Sequence, residues 1–88
     1  MSTSRQGQWC IFYCKLSDMS TWKTMKLRRS DGVIVSAKTY DDVFTFYNYK
    51  DAWGFVKKLI TEEPTPKYDA KVKRVHHGGG NSFYLSGN

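Results

Sequence analysis

The sequence predicts an α+β fold: an antiparallel sheet of about four to six short strands in the order ββββ-α-ββ, with a single helix packed on one face. Three observations predict it. One stretch near the middle carries apolar residues at helical spacing. Several short runs on either side alternate and favour β structure, and turn residues separate them. The length of 88 residues admits one core. Residues 1–7 are polar and are expected to form a flexible arm, which leaves residues 8–88 as one small domain.

The helix is expected over residues 48–63. Asn48 is a natural cap, with Asp51 three residues on at the positive end of the helix. Ala52, Phe55, Val56, Leu59 and Ile60 form one apolar stripe, while Lys50, Lys57 and Lys58 lie mostly off it. Gly54 costs roughly 1 kcal/mol against alanine, so the helix depends on its packing. Glu62 and Glu63 sit unfavourably at the negative end, and Pro64 stops the helix. Trp53 lies off the stripe and is expected to fold over the core.

Strands are expected at 8–16, 21–29, 33–38, 43–47, 69–76 and 82–85. In the first, Cys10, Phe12, Cys14 and Leu16 form a small or apolar face that is expected to point inward. Trp9, Ile11, Tyr13 and Lys15 form the other face, which is expected to turn away from the helix. In the second, Met25 and Leu27 oppose Trp22, Thr24, Lys26 and Arg28. Ser30-Asp31-Gly32 reads as a hairpin turn into the third strand. After the helix, Pro64-Thr65-Pro66 is a stiff linker. In the strand that follows it, Lys71 and Lys73 oppose Ala70 and Val72. Val75 falls out of that alternation and implies a bulge or an early end near Arg74. Gly78-Gly79-Gly80-Asn81 is a turn into the last short strand.

The net charge is +6, from 14 Lys and Arg against 8 acids. Each half of the chain carries seven basic and four acidic residues, so the excess belongs to the folded body rather than to a tail. Such a balance favours anionic partners: nucleic acid, an acidic protein or a charged surface. No stretch has the ~18–20 apolar residues of a membrane span, and the first residues lack the apolar centre of a secretion signal. Cys10 and Cys14, about 13 Å apart along a strand, are too distant for a disulfide and fit buried thiols in a reducing cytoplasm. Only His76 and His77 remain to complete a zinc site, at unsuitable spacing, so neither metal nor cofactor is expected. His76-His77 followed by three glycines does not open a helix, and no acid–base partner is placed beside it, so the chain is not expected to be an enzyme.

One helix covers one face of a sheet. The other face is expected to carry Trp9, Tyr13 and Trp22 among Lys15, Lys26, Arg28 and Arg29, with a second basic cluster at Lys71, Lys73 and Arg74. Rings interleaved with cations on an open sheet suit unpaired nucleic acid, since bases stack on the rings and phosphates meet the cations. These ten residues are the candidate binding set. The leading reading is a small basic cytoplasmic protein that binds RNA or single-stranded DNA. In size, and in lacking a secretion signal or a catalytic motif, the chain also resembles the small proteins with which viruses of bacteria bind and disable host machinery. That resemblance of type implies the alternative, an inhibitor or adaptor that docks the same face on an acidic host protein. A second copy of the chain is a further candidate to cover the face.

Overall fold

Gly32, at φ 71°, turns the chain back on itself, a conformation that suits glycine because it has no Cβ. Arg28 N–H donates to Val33 O at 3.0 Å and Gly32 N–H to Arg28 O at 2.7 Å, while the Asp31 carboxylate accepts from Val33 N–H. The Asp-Gly hairpin expected at this point therefore forms. It joins β2 (Asp18–Leu27) to β3 (Ile34–Ser36), pairing Met25 with Ser36 and Leu27 with Ile34.

The computed structural model describes residues 8–61 and 67–87. The arm expected over residues 1–7, and the helix stop and linker expected over residues 62–66, lie outside them. With β1 (Trp9–Lys15), β4 (Tyr68–His77) and β5 (Phe83–Ser86), the described strands form one antiparallel sheet in the order β3-β2-β1-β4-β5. α1 (Tyr49–Thr61) packs on one face of this sheet. The α+β expectation, with one helix on an antiparallel sheet, holds. Asn48 caps the helix as expected, its side-chain oxygen accepting from Asp51 N–H at 2.9 Å.

Alternation along β1 sets the core. Ile11 and Tyr13 face α1, opposite Val72 and Ala70 of β4, and pack with Met25, Ala52 and Val56. Ile11, Met25 and Ala52 have no exposed surface, and Val56 and Val72 retain 1%. Burial of large side chains such as these contributes about 1.5–3 kcal/mol each. Trp9, Phe44, Phe46, Phe55, Leu59 and Ile60 close the rim.

This arrangement corrects the face expected for the first strand. The row of Trp9, Ile11 and Tyr13 lies beneath the helix, and the row of Cys10, Phe12 and Cys14 lies on the far side. The register decides the matter. Ile11 and Tyr13 stand beside small or branched apolar residues of β4, whereas Cys10 and Phe12 stand beside Lys73 and Lys71. A helix seated on the second row would bury two lysines. Both cysteines are buried free thiols, and burial pushes the Cys10 thiol up to about 12.

Two further expectations are corrected. Residues 43–47 form no strand. Tyr40–Asp42 make a short 3₁₀ turn, and the following residues tie to two strands at single points. Phe46 exchanges backbone bonds with Trp9, and Phe44 N–H donates to Met25 O at 3.1 Å. Phe44 and Phe46 meet edge-on and reach Phe55 of the helix, so packing rather than a hydrogen-bond ladder fixes this segment. Nor does β4 bulge at Val75, because its pairing runs unbroken from Tyr68 to His77. Val75 instead continues the Lys71–Lys73 row and is fully buried in a second, smaller core on the far face, with Cys10, Ala37 and Val43 under Tyr40, Phe83 and Leu85. The irregularity in register falls between Tyr13 and Lys15, at the turn into β2.

Candidate nucleic-acid interface

Residues 37–43 and the side chains of β5 close one end of the far face over Cys10 and Val75. At the other end, Phe12 belongs to neither buried cluster. Phe12 pairs with Thr24 of β2 and with Lys71 of β4, and its ring stacks on Trp22 with centroids 5.4 Å apart and planes 22° from parallel. The Lys71 ammonium lies 4.6 Å from the centre of the Trp22 ring, a cation–π contact. Both rings are half-buried, so each still presents surface to solvent. Lys73 follows on the same row and donates to Gly87 O at 3.1 Å. Lys26 lies further along β2 on this side and bonds Asp42 at 3.0 Å. That contact holds the Asp42 carboxyl below its ordinary value of 3.8. Asp69, opposite Cys14, is the carboxylate on this part of the β4 row.

The expected binding residues therefore divide. Trp22, Lys26, Lys71 and Lys73 share the far face, joined by Phe12, which its apolar neighbours in sequence would turn inward. Arg28 and Arg29 stand at the β2–β3 hairpin beside Lys26, around a 350 Å³ cleft that Asp41 and Asp42 also line. Arg28 is bonded to Asp31 at 2.8 Å. Lys15 lies at the opposite end of the sheet, on a 470 Å³ cleft with Leu16, Ser17, Lys67 and Tyr68. Tyr13 packs in the main core with 5% of its surface exposed. Burial and the neighbouring Tyr68 raise its hydroxyl above the ordinary 10.0.

Trp9 and Arg74 lie on the helix side, with the guanidinium carbon 5.0 Å from the centre of the Trp9 ring. Trp9 meets Tyr49 edge-on at 4.8 Å. His76 stacks on Tyr84 at 4.9 Å and bonds the Ser86 hydroxyl, and His77 donates to Gly80 O at 2.7 Å. Phe12, Tyr49 and Tyr84 were missing from the sequence-derived set. Phe12 was within reach, since the alternation that groups Lys71 with Lys73 groups Phe12 with Cys10, and only the strand register joins the two rows.

Among the described residues, no cluster of three or more His, Cys, Asp or Glu is arranged to hold a metal. No helix among them is long and apolar enough to cross a membrane. Comparison with protein-family models, curated proteins and solved structures returned no match.

Proposed function

We propose that the chain is a small non-enzymatic protein that binds unpaired RNA or single-stranded DNA across the sheet face opposite its helix. The observation that carries this reading is the Phe12–Trp22 stack with Lys71 poised over it, on a part of the sheet outside both buried clusters. A base stacks on the exposed ring surface, and Lys71 exchanges its ring contact for a phosphate. Lys73 and Lys26 extend the cationic path on either side, and Arg29 continues it at the hairpin. In a duplex the faces of the bases are already stacked, so a platform of this kind favours single strands.

The test is anisotropy of labelled single-stranded RNA, single-stranded DNA and duplex across a salt series. Trp22→Ala is expected to weaken single-strand binding roughly 5- to 150-fold, the equivalent of one lost base stack, with the salt slope unchanged because no charge is removed. Joint replacement of Lys26 and Lys71 by Ala is expected to flatten the slope by about 0.7 per lost phosphate contact. Wild-type binding by Trp22→Ala would remove the reading.

A second reading is supported by Leu16 and Met19, which are 44% and 47% exposed at the turn between β1 and β2. Together with Trp22 they offer apolar surface to an acidic protein partner, in the manner of an inhibitor or adaptor. Weak binding to all three nucleic acids at near-physiological salt would favour it.

A further inference from the structure

We infer that the helix side of the sheet holds a second pocket, for a single nucleotide, in which Tyr49 and Trp9 receive the base and Arg74 the phosphate. The inference rests on the reading above for its ligand class, but on separate residues on the opposite face of the sheet. A 350 Å³ cavity opens where the start of α1 passes over β1 and β4, lined by Trp9, Tyr49, Val72 and Gly87. This is at the small end of the range for small-molecule sites, roughly 300–1,000 Å³, and suits one nucleotide rather than the edge of a duplex.

The chemistry of the walls narrows the ligand. Val72 closes the cavity with apolar surface, and the Trp9 and Tyr49 rings supply two aromatic walls set edge to face. Tyr49 keeps 43% of its surface exposed, so its ring is available for stacking. None of the lining residues among those described carries a carboxylate. Arg74 stands beside Trp9 on the Val72 row of β4. It is exposed and makes no hydrogen bond or ion pair among the described residues, so its guanidinium donors are unspent. A planar guanidinium with free donors beside an aromatic slot is complementary to a phosphate attached to a flat ring. The cross-strand pairs Arg74–Ser86 and His76–Tyr84 continue the same surface towards β5. Tyr84, 58% exposed there, offers a further ring to a neighbouring base.

The three tryptophans separate the two sites. Trp22 reports the far face, Trp9 this pocket, and Trp53 the helix. The experiment follows the indole N–H signals of ¹⁵N-labelled protein, assigned by single Trp→Phe variants, during titration with adenosine 5′-monophosphate, and with adenosine and inorganic phosphate separately. Adenosine 5′-monophosphate is expected to move the Trp9 signal saturably and to leave Trp22 in place, with inorganic phosphate at matched ionic strength moving neither. Tyr49→Ala and Arg74→Met, with the Trp22 signal on the opposite face unchanged as evidence of fold, are each expected to weaken this binding at least about fivefold. A Trp9 signal that stays still at millimolar nucleotide would overturn the pocket, as would variants that bind like wild type. If an oligonucleotide moves Trp22 while the mononucleotide leaves Trp9 unmoved, the pocket alone fails. If the mononucleotide moves Trp9 while no oligonucleotide moves Trp22, the pocket stands and the far-face reading fails.

Discussion

Ile11 and Phe12 are sequence neighbours on opposite faces of the central strand, and truncating each in turn tests which face is covered. Ile11 is fully buried beneath the helix against Val72. Ile11→Ala removes three carbons, about 2.4 kcal/mol at about 0.8 kcal/mol per methylene. The cavity left under a rigid helix raises the total to roughly 3–4 kcal/mol. A domain of 88 residues has a stability on the order of 4–13 kcal/mol, so this one change removes a large share of it. At about 4–8 °C per kcal/mol the midpoint falls by roughly 12–30 °C.

Phe12 is the larger side chain, and a phenylalanine in a closed core costs about 3–5 kcal/mol to truncate. Outside both buried clusters its ring is half-buried and its removal leaves no sealed cavity. Phe12→Ala is therefore expected to cost about 1–2 kcal/mol. Urea titrations of the two variants, followed by circular dichroism, measure the order. A Phe12→Ala loss equal to or greater than that of Ile11→Ala would mean that something packs over Phe12. The argument for an open binding face would fall with it.

Three further outcomes are expected. Gly54 is exposed in mid-helix with nothing within 4 Å of where a Cβ would stand; Gly54→Ala should stabilise the protein by roughly 0.5–1 kcal/mol, and a neutral or destabilising result in urea would contradict the packing of that helix face. The Lys26 bond holds the Asp42 carboxyl below its ordinary value, so the pair contributes stability above that value and loses it as pH falls through the depressed one. Carboxyl ¹³C titration of Lys26→Met should show Asp42 moving up, and an unmoved titration would leave the pair without a role. Cys10, pushed up from 9.0 to about 12, contributes stability in full below pH 9 and loses it as pH rises towards 12. Its labelling by a thiol reagent at mildly alkaline pH should proceed only as fast as the protein opens, and rapid labelling in the native state would contradict its burial.

The helix, its Asn48 cap, the Asp31-Gly32 hairpin and the sheet class were all legible in the sequence, because each is encoded by residues close together along the chain. The orientation of β1 was not. Both of its faces are apolar, so alternation alone does not say which one meets the helix. That choice is made by the partner strand, where Ala70 and Val72 flank one row and Lys71 and Lys73 the other. Val75 misled for the same reason. It breaks the pattern of β4 as a one-sided strand, but it is buried on the far face under Leu85 and Phe83, which arrive later in the sequence. Phe44 and Phe46 alternate like a strand, yet they are held by rings in the core. For the candidate binding residues, the sequence groups rings and cations by local spacing alone. Tertiary register then separated Trp9 and Arg74 from Trp22 and Lys71 through the thickness of the sheet.

β1 stands in the middle of the sheet, and its second partner is β4, which follows the helix. During synthesis, β1, β2 and β3 can meet as a meander while the far edge of β1 still waits for the segment from Tyr68 to His77. Until that segment emerges, Trp9 to Lys15 is an unprotected edge rich in aromatic and branched residues, a template on which a second nascent chain can pair. Premature termination ahead of residue 68 thus yields more than a shortened protein. It yields a fragment with an adhesive edge, and the timing with which β4 is delivered governs how long that edge stays open.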